Sequence, residues 1–350
     1  MKTEFTRKLL KWNAKANNRS FPWKKEKDPY KIWLSEIILQ QTKVEQGLDY
    51  YNKYIKAFPT IHHLAKASEQ KIFKLWEGLG YYRRCKNLIS TAKLISKDFD
   101  GNFPDTYENI KSLKGVGPYT ASAIASFAYN LPHAVVDGNV LRVLSRYFGI
   151  STPIDTTEGK KIYNQLAEAL LYIKDPGLYN QAIMDFGAVI CKPKAPLCNE
   201  CVQKTECEAF RNNWVDQLPV KKKAVKQNTR WFNYFIIEYK SKVYIRKRTS
   251  KDIWSDLFEF ALKETDRPLE LDPASLTKYA EELVGTCRLT ISDISREYRQ
   301  KLTHQTILGR FVTFNIHEHS LLLNDYNAVS MKELKKFPFP SLINTFLNEV

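Results

Sequence analysis

Four cysteines fall within seventeen residues as Cys191-x6-Cys198-x2-Cys201-x5-Cys207. Thiolates this close along a chain can enclose a metal centre, and both zinc and a [4Fe–4S] cluster take four of them. The Cys-x2-Cys element suits zinc, but a second such knuckle is missing, so the spacing leaves both centres open. A second pattern is Leu113-Lys114-Gly115-Val116-Gly117-Pro118-Tyr119. Two glycines around one apolar residue make a tight turn between helices, and their bare backbone lets N–H groups approach a phosphate at a helix N-terminus. With Lys114 alongside, Gly115 and Gly117 read as a clamp on a nucleic-acid backbone; an ordinary helix connection has the same look.

Two carboxylates complete the chemistry. Glu36 has Ile32 and Trp33 at i−4 and i−3 and Leu39 at i+3, so on a helix it lies on the apolar stripe. Desolvation there raises its pKa towards neutrality and makes it a general acid, whereas a glutamate at the stripe's edge would reach water and stay ordinary. Asp137, in Val135-Val136-Asp137-Gly138-Asn139-Val140, ends an apolar pair and precedes a helix. It suits an N-cap, and at a cavity edge it would stabilise a developing cation. The six histidines show no metal spacing with cysteines or carboxylates.

The elements that must hold these groups are helices as far as about residue 200. Asp28-Pro29 is an N-cap and first-turn proline opening a segment from Pro29 to Thr42. Ser68, Lys71, Ile72, Leu75 and Trp76 give a helical stripe that stops at Gly78 and Gly80. Thr120–Tyr129 is rich in small residues, which suits a helix buried on most sides, and Val140–Tyr147 and Lys160–Tyr172 continue the pattern. From Arg211 to Arg230 six basic residues face one acid, the make-up of a linker. Beyond it the period becomes two. Trp231–Tyr239 and Lys242–Arg248, joined by Lys240-Ser241, predict a hairpin, Gln305–Ile316 a further strand, and Tyr279–Val284 and Leu342–Leu347 helices. The expected domains are 1–210, mostly α with the cysteine loop at 191–207, a basic linker at 211–229, and a smaller α+β domain at 230–350.

Composition narrows the partners. The 350 residues carry 54 Lys and Arg against 38 Asp and Glu, a net charge of +16 that fits a polyanion such as nucleic acid. No apolar run approaches the ~18 residues of a membrane span, and the lysine-bearing N-terminus does not read as a signal peptide. A soluble, intracellular protein with no membrane partner is expected. Cys85 and Cys287 stand apart from the cluster, unlike a secreted disulfide framework.

Together these residues resemble the helix-hairpin-helix DNA glycosylases. Within them Pro29-Tyr30-Lys31-Ile32-Trp33-Leu34-Ser35-Glu36, Leu39-Gln40-Gln41-Thr42, Gly78-Leu79-Gly80-Tyr81-Tyr82 and Val136-Asp137-Gly138-Asn139-Val140 are similar to adenine glycosylases of the MutY type. The resemblance covers residues 1 to about 210. It implies that Cys191, Cys198, Cys201 and Cys207 hold a [4Fe–4S] cluster. It also implies a base-excision repair enzyme, a cytoplasmic, nucleoid-associated monomer, that hydrolyses the N-glycosidic bond of adenine paired with 8-oxoguanine or guanine in double-stranded DNA. Glu36 would be the acid and Asp137 the cation stabiliser, with Tyr119 and Asn139 orienting them. Arg19, Trp23 and Gln181 would line the adenine pocket, and Gln41 and Tyr81 would wedge into the duplex. Endonuclease III, the nearest relative of this type, has a nucleophilic lysine where this chain has Tyr119, so base removal without strand cleavage is implied.

The second half resembles, more loosely, the family's Nudix-like domain that inspects oxidised guanine, through Trp254-Ser255-Asp256-Leu257-Phe258-Glu259-Phe260 and Thr303-His304. The glutamate-rich magnesium box of a Nudix pyrophosphatase is missing. Leu302-Thr303-His304 replaces the usual Phe-Ser-His, keeping a hydroxyl and losing a ring. The competing classes are an endonuclease III-like pyrimidine glycosylase/lyase and a non-enzymatic iron–sulfur DNA-binding protein.

Overall fold

The computed structural model describes residues 2–222, 228–250, 252–285 and 288–349. Two compact units emerge, Met1–Ala67 with Lys86–Lys223, and Ser68–Cys85 with Ala224–Val350. The helices in chain order are α1 Lys2–Ala16, α2 Pro29–Leu39, α3 Val44–Ala57, α4 Ile61–Lys66, α5 Glu69–Trp76, α6 Tyr82–Asp98 and α7 Tyr107–Ser112. There follow α8 Pro118–Tyr129, α9 Gly138–Phe148, α10 Thr157–Leu170, α11 Pro176–Val189, α12 Glu208–Arg211, α13 Pro273–Val284 and α14 Ser341–Leu347.

In the first unit the helix starts are written in side chains. Asp28, Thr156 and Asp175 cap α2, α10 and α11, each accepting a backbone N–H of the first turn, and proline follows Asp28 and Asp175. A core of Phe5, Leu9 and Trp12 from α1 packs with α9, α10 and α11. The small residues of α8 serve close packing: a Cβ on Gly177 of α11 would lie 2.8 Å from the Ser126 carbonyl oxygen.

The second unit is a mixed sheet in the order β3-β2-β1-β7-β5, with β4 on β1, β6 on β7 and β8 on β2. Its strands are β1 Asn228–Tyr239, β2 Lys242–Lys247, β3 Phe258–Glu259, β4 Ala261–Thr265, β5 Leu289–Ile294, β6 Tyr298–Lys301, β7 Gln305–Ile316 and β8 Asn327–Val329. Strands β1 and β7 run parallel. Strands β1 and β2 form the expected hairpin, and both turn residues, Lys240 and Ser241, have left-handed backbone, as a two-residue turn that follows strand twist requires. The helix α13 covers a core that includes Phe235, Ile237, Val312 and Phe314. The unit is α+β, as its alternating period indicated.

The boundaries differ from the sequence reading in two places. Residues 211–222, read as linker, pack on the helical unit. Leu218 is buried, its carbonyl accepts from Arg146 Nε at 3.0 Å, and Val220 O accepts from Ile154 N at 3.0 Å. The lysines dominate the composition there, but Leu218 and Val220 decide the packing. Lys223 and Lys226 of that stretch, and Cys287, lie outside the described residues. The second difference is Ser68–Cys85, which groups with the sheet unit although it sits among the helices in sequence. Among the described residues no helix is long and apolar enough to cross a membrane.

Candidate active site

The α2 helix is buried nearly all round, so Glu36 has no edge from which to reach water, and it is 6% exposed. Burial pushes its carboxyl up to about 7; a hydrogen bond from Tyr119 opposes that rise and the charge of Asp137 adds to it. The Tyr119 hydroxyl is driven well above its ordinary value by burial and by both carboxylates, so it keeps its proton as a donor. Asp137 caps α9. Its Oδ1 accepts from Val140 N at 2.7 Å and its Oδ2 from Asn139 Nδ2 at 2.7 Å. Burial raises its pKa against the pull of these donors and of the Arg142 charge. The structure thus brings Glu36, Tyr119, Asp137 and Asn139 into one site.

Two residues that motif reading missed hold that site. Asn180, fully buried on α11, accepts from Val135 N at 3.1 Å and donates to Ser126 Oγ at 3.0 Å and His133 O at 2.8 Å, which pins the chain leading to Asp137. Arg142, one turn into α9, donates to Asn139 Oδ1 at 2.9 Å, to Gly187 O at 2.7 Å and, through Nε, to Cys191 O at 2.7 Å. A hydrogen-bonded chain therefore runs from Asp137 through Asn139 and Arg142 to the first cysteine of the loop. At Gly187 a Cβ would sit 2.7 Å from Asn139 Cβ, so this arrangement needs glycine.

Cys191, Cys198, Cys201 and Cys207 line one cavity, closed by Ile190, Pro196, Phe210 and Val215 and flanked by Arg146 and Lys204. Burial pushes the Cys201 thiol up to about 12 and raises those of Cys198 and Cys207. Thiols in such a seat stay protonated unless a cationic centre takes the proton's place. Among the described residues no three metal-ligating side chains stand close enough to share one ion. Four cysteines on one cavity are a donor set that suits a thiolate-held metal centre, single zinc or a [4Fe–4S] cluster alike.

The glycine turn joins α7 to α8. Gly115 has φ +83°, and a Cβ there would also strike Asn87 at 2.7 Å. Gly117 has open space where a Cβ would be, directly before the α8 N-terminus, and Lys114, Gly115 and Gly117 are all exposed. Gln41 follows α2 with φ +55°, and Tyr81 has φ +47°. Non-glycine residues in left-handed backbone are uncommon and concentrate where a side chain must be aimed. Both are exposed.

In the second unit Thr303 and His304 are exposed at the turn between β6 and β7, and the Thr303 hydroxyl hydrogen-bonds that of Tyr81. Arg19 is held differently from a free pocket residue. It shares the fully buried Asp185 with Lys24 and Asn17, at 3.0 Å for Arg19 and 2.8 Å for Asn17. Trp23 stacks on Phe21 with ring centres 5.2 Å apart. Gln181 lies on α11, one helical turn before Asp185.

Comparisons with known proteins follow the same lines. The model of the HhH-GPD superfamily of base excision DNA repair proteins matches residues 34–169. The adenine DNA glycosylase of Buchnera aphidicola subsp. Baizongia pistaciae is 34% identical over 327 residues, 93% of this chain and 90% of the relative. The chain belongs to the adenine DNA glycosylase family. Another member, from Buchnera aphidicola subsp. Schizaphis graminum, is 39% identical over 261 residues, 73% of this chain and 74% of the relative. The solved structure of a thermostable thymine-DNA glycosylase matches with a TM-score of 0.56 at 30% identity, covering 60% of this chain and 97% of that one.

The longest of these alignments runs past the helical unit, so the family likeness includes most of the sheet unit. Asp185, which Arg19, Lys24 and Asn17 share, had a signal of the same kind as Glu36. It is a lone carboxylate in the apolar run Ala182-Ile183-Met184-Asp185-Phe186.

Proposed function

We propose that this protein removes adenine paired with 8-oxoguanine or guanine from double-stranded DNA, as a monomer in the cytoplasm associated with the nucleoid. Duplex binding starts at the exposed Lys114-Gly115-Val116-Gly117 turn, where phosphate meets open backbone and a helix N-terminus. Gln41 and Tyr81, held in left-handed backbone, enter the stack from the side of the oxidised guanine, and Thr303 and His304 touch that base. The extruded adenine is received by Trp23, Arg19 and Gln181.

Adenine leaves readily only when protonated. Glu36, with its pKa near 7, holds a proton at neutral pH and donates it to adenine N7. As the N-glycosidic bond breaks, positive charge builds on the sugar, and Asp137 opposes it. The donors Val140 N and Asn139 Nδ2 favour the ionised form of Asp137, while Tyr119 orients Glu36. Water completes the hydrolysis. Tyr119 cannot act as an amine nucleophile, so strand cleavage does not follow.

Cys191, Cys198, Cys201 and Cys207 would hold a [4Fe–4S] cluster, which when bound supplies a rigid cross-link for the loop and its basic surface. Arg142 passes that rigidity to Asn139 and Asp137.

The single observation that carries this reading is a fully enclosed carboxyl, titrating near neutrality, beside a second carboxylate held by helix-cap donors. The decisive experiment uses Glu36→Gln on a duplex with adenine opposite 8-oxoguanine. Adenine release falls by about 10³-fold while duplex binding persists. Wild-type turnover in that variant would remove Glu36 from the acid role.

A further inference from the structure

The segment Phe337-Pro338-Phe339-Pro340 starts in β-type backbone at Phe337 and reaches Pro340 at φ −57°, ψ 149°. In extended chain the polar groups of alternate residues point to opposite sides. On one side Pro338 O accepts from Phe258 N at 2.9 Å, which ties the segment to β3. Phe337 O and Phe339 N therefore point the other way, where no strand pairs with them among the described residues.

The side chains of α5 take that place. Gln70 Nε2 donates to Lys336 O at 3.1 Å, Lys74 Nζ to Phe337 O at 3.0 Å, and Phe339 N donates to Glu77 Oε1 at 2.8 Å. Glu77 Oε2 also pairs with Lys74 at 2.6 Å. Residues 70, 74 and 77 are spaced i, i+4, i+7, one face of a helix and its end. The aromatic rings beneath are fixed, with Phe337 on Phe258 and Phe339 on Phe260.

Immediately after this clamp comes Gly78-Leu79-Gly80-Tyr81, in which Gly78, Gly80 and Tyr81 all have left-handed backbone. Trp76 Nε1 donates to Gly80 O at 2.9 Å, and Tyr81 ends on the Thr303 hydroxyl. Such a turn keeps one shape only when both ends are held.

We propose that Glu77, with Lys74, is a positioning residue that sets where Tyr81 stands relative to the β6–β7 tip, and through it the preference for oxidised over normal guanine. The inference rests on the adenine glycosylase reading above. Glu77 touches neither the base nor the reacting sugar. It acts through the backbone of 337–339, with one oxygen accepting from Phe339 N and the other holding Lys74 on Phe337 O.

The test compares Glu77→Ala, Glu77→Gln and Lys74→Met in the full chain by two measurements. Hydrogen exchange at the Phe339 amide reads the clamp itself, and the ratio of adenine release opposite 8-oxoguanine to that opposite guanine reads its effect. Glu77→Ala is expected to expose the amide and lower the ratio about fivefold, while Glu77→Gln, which keeps the acceptor for Phe339 N and gives up the ion pair with Lys74, restores both in part. Lys74→Met shifts both in the same direction and decides the matter if Glu77→Ala fails to fold. A well-folded Glu77→Ala with the wild-type ratio, or a Glu77→Gln as impaired as Glu77→Ala, overturns the proposal. A wild-type protein that releases adenine from neither duplex overturns the functional reading instead, and with it the proposed preference. The Phe339 amide then reports separately on whether the clamp exists.

Discussion

The two carboxylates of the helical unit and the Thr303-His304 tip of the sheet unit are opposite kinds of site. Glu36 and Asp137 are enclosed, and each is fixed by several donors or apolar neighbours. The tip is exposed, and Thr303 is met by the Tyr81 hydroxyl. Enclosure changes the protonation chemistry of a group; exposure leaves it ordinary and free to exchange partners. In the proposed reaction, bond breaking draws on the first and inspection of a base on the second.

The sharpest way to break this contrast is Asp137→Asn. Asparagine still caps the helix through Val140 N but sets its own amide nitrogen against Asn139 Nδ2, so the melting temperature should fall by only about a few degrees. Adenine release should fall by about 10³-fold, because the negative charge is gone. Loss of folding together with activity would make Asp137 a cap and nothing more.

Arg142→Met comes next. It strands Asn139 Oδ1, Gly187 O and Cys191 O without their donor in the interior, at a cost of about 3 kcal/mol in a denaturant titration. A change below about 0.5 kcal/mol would show that the cysteine loop and Asp137 are independent.

The pH dependence sharpens the Glu36 half. Its folded pKa of about 7 lies above the ordinary 4.5, so the folded state binds the proton more tightly. Stability is therefore lost as pH rises from about 4.5 to 7, and the release rate falls about tenfold per pH unit above 7. Glu36→Gln should flatten the stability profile and be the more stable protein at pH 9, by on the order of 3 kcal/mol. Equal profiles for the two proteins would show that Glu36 ionises like a free glutamate. The smallest effect belongs to the tip. Thr303→Val should cost a few-fold in the preference for oxidised guanine and nothing measurable in stability, as expected of an exposed hydroxyl.

Much of the helical unit was legible because its starts are coded locally. Asp28-Pro29 and Asp137 announce helices with residues next to them in sequence, and Glu36 stands out against the stripe around it. The hairpin at Lys240-Ser241 and the strand Gln305–Ile316 were legible by period. Arg142 was not, since its meaning depends on Cys191 O, 49 positions away. Asp185 stands out in its apolar run as Glu36 does, but the cations it serves are known only once Arg19 and Lys24 are brought to it. The division of units at Ser68–Cys85 was hidden for the same reason. Side chains of α5 bond to the backbone of residues 336–339, and a backbone has no composition to read.

The guanidinium of Arg142 has a consequence for failure. Arginine keeps its charge at any physiological pH. If the cysteine loop came apart, a permanent cation in the interior would lose a carbonyl on one side while still gripping the amide beside Asp137 on the other. A loosened cysteine loop would thereby reach Asp137 as well, because Asn139, which holds it, shares that guanidinium with Cys191 O.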